Sequence, residues 1–147
     1  MKAGILLVLV VVVFRIAAAM SAGDEGGWLL ANFSPVGALV LCGAMFFPGR
    51  LAWAVPVGAL LVTEVVLNLF YGYAPVGWGT LGSVLAWGMV FGLGWRLRGA
   101  IRGMGTGKGL GVVMGATFVS ALMFYVVTNT VAFIGSPYYP QSLAGWW

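Results

Sequence analysis

Histidine does not occur in this chain, and only three acidic residues do, Asp24, Glu25 and Glu64. The first absence removes the commonest ligand for haem and catalytic metals, and with it the usual general base near neutral pH. With a single cysteine, Cys42, no disulfide framework can form within the chain. Cys42 stands in an apolar run, so no nucleophile and base can be paired. These absences exclude the familiar enzyme classes and nominate no cofactor and no metal. Charge of either sign is scarce: 7% of residues are charged, against about 25% in a soluble domain.

Apolar residues fill the space that charge leaves. They make up 62% of the sequence, and the mean hydropathy is +1.06, which predicts an integral membrane protein. A chain of 147 residues holds about five spans of roughly 20 residues with short connections, so residues 1–147 form one domain. The apolar runs fall at about residues 4–20, 33–47, 51–70, 80–95 and 109–133, the second and fourth being short, and residues 136–147 form a tail. A β-barrel would alternate apolar and polar positions, which these runs do not, so helix is the expected state. The expected fold is an all-α, polytopic membrane bundle with five transmembrane helices.

Charges between the runs orient it. Lys2, Arg50 and the group Arg96, Arg98, Arg102 and Lys108 fall in alternate connections, while Asp24, Glu25, residues 71–79 and residues 136–147 fall in the others. Cations mark the cytoplasmic side, which predicts an inside amino terminus and an exoplasmic carboxyl terminus. Tyr138, Tyr139, Trp146 and Trp147 suit a tail lying at the interface with the bilayer. The net charge of +4 belongs to these short loops and does not point to nucleic acid.

Three local patterns have competing readings. Lys2, the apolar stretch and Ala17 to Ala19 resemble a secretory signal, but Arg15 would interrupt its core, so a retained helix is expected. Gly88 with Gly92 and Gly111 with Gly115 have GxxxG spacing, which serves packing inside the bundle or contact with another subunit. The stretch from Gly103 to Lys108 fails the phosphate-loop pattern, with Arg102 at its first glycine position and Gly109 after the lysine. A cytoplasmic turn is expected there.

Glu64 is the acid that cannot be placed in water. An ionisable group at bilayer depth is costly and marks a candidate functional site. Arg15 is the comparable cation, and at 1.5 Å rise per residue each lies about two-thirds of the way along its outward-running helix. An ion pair between them is expected, as a ligand site or as a structural tie. Asn68 follows Glu64 by one turn, Asn32 begins the second span as a cap or ligand contact, and Asn129 lies near the outer end of the fifth. A shared outward-opening pocket of Arg15, Asn32, Glu64, Asn68 and Asn129 would account for this polar layer, as would a purely structural network.

The block from Asn32 through Phe33-Ser34-Pro35-Val36-Gly37-Ala38 to Leu41, with Gly43 to Phe47, the acid late in the third span, Thr128-Asn129, and Tyr139 to Gly145, resembles a family of small bacterial membrane proteins. That family is similar to the substrate-binding S components of energy-coupling-factor vitamin transporters. The resemblance runs from Arg15 to Gly145 and implies a six-helix bundle that takes a small solute from outside. It places Arg15, Asn32, Glu64 and Asn129 at polar positions of the family pattern. Two features depart from it. The resembled pattern continues into a sixth helix where this sequence ends at Trp147, and residues 5–13 are bulky where S components carry small residues for docking an energising subunit.

The leading expectation is therefore a solute-binding or uptake component of the bacterial cytoplasmic membrane, in contact with lipid, a small solute and an energising or other membrane subunit. The alternative is a non-catalytic accessory subunit that packs through its glycine-rich faces.

Overall fold

Long apolar runs free of β-type alternation satisfy their backbone internally as helices, and each of the five runs forms a helix among its described residues. The computed structural model describes residues 2–21, 36–72, 74–135 and 140–146. Among them lie α1 (Lys2–Met20), α2 (Val36–Phe46), α3 (Leu51–Phe70), α4 (Trp78–Arg102), α5 (Thr106–Gly135) and the short α6 (Leu143–Trp146), with no strand. Leu51–Phe70 and Thr106–Ile134 are long and apolar enough to cross a membrane, while Val8–Met20 and Val36–Phe46 are shorter apolar helices.

The fourth helix is not short. It covers 25 residues instead of the expected 80–95, because Arg96, Arg98 and Arg102 end the apolar run without ending the helix; arginine is a good helix former. The fifth likewise starts before residue 109 and ends after residue 133.

The shortest of the five, α2, is the centre of the bundle. Its sequence is apolar on every face, the composition of a helix buried all round. Val36, Leu39, Val40, Leu41 and Met45 are at most 3% exposed and form the core with Leu60, Trp87 and Val90. Helices α1, α3, α4 and α5 all pack against it, and α4 and α5 pack extensively on each other.

Glycine sets how closely α2 is approached. A Cβ on Gly94 of α4 would lie 2.8 Å from the Leu41 carbonyl oxygen and 2.9 Å from the Ala44 Cβ. A Cβ on Gly43 would lie 2.7 Å from Cγ of Pro56, the proline inside α3. The four glycines of the GxxxG pairs behave differently: a Cβ at Gly88, Gly92, Gly111 or Gly115 would meet nothing within 4 Å among the described residues. Those pairs are not used for packing inside the bundle, since repeated spacing says nothing about which way the face points.

Contacts fix the helix directions. Arg15 meets Glu64 and Ala19 meets Tyr71, so α1 and α3 run parallel. Gly37 lies against Trp87, and Ala44 against Gly94 and Arg98, so α2 and α4 run parallel. Trp78 reaches Val131 and Trp87 reaches Phe124, so α4 and α5 are antiparallel. The turns at 47–50 and 103–105 therefore lie at one end, with Arg50, Arg98, Arg102 and Lys108 on or near them. Many large apolar side chains face outward, among them Leu9, Val57, Leu61, Met114 and Phe118. An apolar surface of this extent marks contact with a membrane or another protein.

Candidate functional site

The parallel course of α1 and α3 places Arg15 beside Glu64. Arg15 Nη2 donates to Glu64 Oε2 at 2.9 Å, and Nη1 donates to Thr63 Oγ1 at 2.9 Å. The ion pair is sheltered without being sealed, with side chains 18% and 16% exposed. Equal depth on two parallel helices, the expectation from counting residues, is realised as direct contact.

Thr63 is the member that sequence reasoning missed. It is fully buried, and its hydroxyl donates back to the Ala59 and Leu60 carbonyls at 2.8 and 3.0 Å. A helical threonine with its proton committed in this way still has a lone pair to offer, and Arg15 takes it. Its position beside an acid in an apolar run was the available signal. Replacing Thr63 with valine is expected to lower unfolding free energy by about 1.5 kcal/mol, because one arginine N–H loses its acceptor. Serine at the same position should forfeit about 0.8 kcal/mol, the value of one buried methyl. Chemical unfolding of the two variants in mild detergent checks the order.

Asn68 and Asn129 of the expected layer make no hydrogen bond with the pair among the described residues. Asn68 Nδ2 donates to the Pro75 carbonyl at 3.0 Å, which ties α3 to the connection leading into α4. Asn129 is on α5, whose principal partners are α4 and α2, and no hydrogen bond joins it to α1 or α3 among the described residues. Asn32, with its proposed capping role, lies outside the described residues. The structure thus brings Arg15 and Glu64 together, with Thr63, and does not bring Asn129 to them.

One further tie supports the site's surroundings. Tyr71 donates its hydroxyl to the Ala19 carbonyl at 2.7 Å, holding the ends of α1 and α3 together beyond the ion pair. The tail folds back onto α5, where Trp146 Nε1 donates to Thr130 Oγ1 at 3.0 Å and Gln141 Nε2 donates to the Phe133 carbonyl at 3.2 Å.

On the far side of α2, Trp87 Nε1 and Ser120 Oγ are buried without a hydrogen-bond partner among the described residues. Trp87 packs on Phe124, with ring centroids 4.3 Å apart, one turn from Ser120. Neither was singled out in the sequence, because nothing local tells a buried indole from an exposed one.

Among the described residues no three potential metal ligands gather, and the charged chemistry of the bundle interior is the Arg15–Glu64 pair. A guanidinium and a carboxylate joined by one hydrogen bond can bind, orient or hold a proton, with donors left on one partner and lone pairs on the other. No curated protein and no solved structure matches the chain. A family model does match residues 2–147, and the chain belongs to that family, DUF6580, a family of unknown function.

Proposed function

We propose that this protein is a multi-pass protein of the bacterial cytoplasmic membrane that binds a small solute for uptake, in the manner of a transporter's S component, without catalysing a reaction. In this reading it crosses the bilayer five times, with a cytoplasmic amino terminus and an exoplasmic carboxyl terminus. The observation that carries the reading is the ion pair itself. Arg15 and Glu64 stand between two apolar helices at a depth where charge is expensive, yet neither side chain is sealed from its surroundings. The alternating helix directions and the cations gathered at the end of the 47–50 and 103–105 turns support the orientation.

Thermal unfolding of the purified protein against a panel of vitamin-like, amino-acid-like and lipid-soluble compounds tests it. At least one compound should raise the melting temperature of the wild type and bind at least about tenfold more weakly to Glu64→Gln, about 1.4 kcal/mol. A panel without a hit, or Glu64→Gln binding as the wild type does, removes the reading.

The open glycine faces favour a second reading, an accessory subunit. With nothing within 4 Å of a Cβ at Gly88 or Gly92, α4 offers a close-approach surface to another helix. Gly88→Leu or Gly92→Leu should then leave the isolated chain's melting undiminished and abolish co-purification with other integral subunits. A wild-type chain that migrates alone in mild detergent argues against it.

A further inference from the structure

A groove of about 720 Å³ runs between α1 and α3, open along one side. Its size falls within the range of small-molecule sites. Its lining, which includes Val8, Val12, Leu51, Val55, Gly58 and Val62, contains no polar side chain. Helical spacing shows where it leads. Val8, Val12 and Arg15 share one face of α1 at i, i+4 and i+7, and Val55, Ala59 and Thr63 share a face of α3 at intervals of four. Arg15 stands three residues past Val12, and Thr63 and Glu64 follow directly on Val62, so the apolar groove leads towards the polar site.

That polar end has unused capacity. A guanidinium has five N–H donors, and Arg15 spends one on Thr63 and one on Glu64. Glu64 Oε1 accepts no hydrogen bond from the described residues.

We propose that groove and ion pair form one binding site for a neutral, single-chain amphiphile. The alkyl chain lies between α1 and α3, and a carbonyl or amide head accepts from the remaining Arg15 N–H groups while an amide N–H donates to Glu64. The proposal rests on the solute-binding reading and narrows it to a lipid-soluble ligand reaching the site from the open side of the groove. Charge decides the head group. The pair already neutralises itself, so an ionised head would arrive without a counter-charge where ions are expensive, whereas a neutral dipole matches both spare partners. The chain follows from the lining, since no polar side chain in the groove asks for a hydrogen bond.

Oleamide is a suitable probe, with the protein in phosphatidylcholine nanodiscs and retention read by native mass spectrometry. Gly58 gives a plug that tests the groove without touching the ion pair, because a Cβ there would meet nothing within 4 Å. Wild type should retain one oleamide per chain, and Gly58→Leu should reduce retention at least about tenfold with its melting temperature preserved. Val8→Phe plugs the groove from the opposite helix and should do the same. Dodecane, a chain without a head, and acetamide, a head without a chain, should each be retained at least about tenfold less by the wild type, a comparison that needs no variant. The proposal is overturned if both plugs leave oleamide retention unchanged, or if dodecane is retained as well as oleamide. Water-soluble compounds that stabilise wild type and Gly58→Leu alike, with no oleamide retained, overturn it and leave the solute-binding reading standing. The absence of any bound compound removes both.

Discussion

Replacing Arg15 with leucine is expected to lower the unfolding free energy by about 3 kcal/mol, because Glu64 would be left among apolar helices without its counter-charge. Partial exposure of the pair, 18% and 16%, places the loss at the lower end of what breaking a buried pair costs. Glu64→Leu should be comparably damaging, since it leaves the guanidinium with Thr63 as its one partner among the described residues. The double variant carries the argument. With both charges gone and leucine against leucine, stability should return to within about 1 kcal/mol of the wild type, as isosteric apolar replacement of buried pairs often allows. Reversible unfolding in mild detergent, followed by tryptophan fluorescence, gives all three values. If the two single losses simply add in the double variant, Arg15 and Glu64 are not coupled and the site as described is wrong.

A comparable loss is expected from one methyl group at Gly94. Its Cβ would stand 2.8 Å from a backbone carbonyl oxygen of α2, an atom that cannot rotate away as a flexible side chain would. Alanine normally gains up to about 1 kcal/mol over glycine inside a helix. At Gly94 the overlap reverses that gain, and Gly94→Ala should lose about 2 kcal/mol as α4 is pushed off the central helix. Gly88, also on α4, has open space and should show the ordinary gain. Opposite signs for one substitution on one helix, measured in the same unfolding assay, are the expected result. Equal effects at the two positions would mean that α4 does not approach α2 as described.

The helical class was legible in composition, and the five helices in the placement of apolar runs. So was the meeting of Arg15 with Glu64, because two ionisable residues at equal depth on apolar helices of like direction each need a partner. The remaining amides were not legible in the same way. Asn68 shares a helix with Glu64 but finds the Pro75 carbonyl in its own connecting segment. Asn129 belongs to a helix whose principal neighbours are α4 and α2. Matching depth is a one-dimensional quantity, and it carries no information on which helices are neighbours.

Glycine shows the same division. The spacing of Gly88 with Gly92 drew attention, yet the closest approaches to the central helix fall at Gly43 and Gly94, which belong to no GxxxG pair singled out from the sequence. By itself the sequence determined that this is an apolar, helical chain whose first and third apolar runs carry a cation and an acid that seek each other, because hydrophobicity, period and charge are properties of a linear run. The tertiary structure alone decided that α2 is central, that Thr63 completes the ion pair, that a groove opens between α1 and α3, and that the glycine pairs face outward. Those outcomes depend on the rotation of each helix about its axis and on its choice of neighbours, which packing against every other helix settles at once.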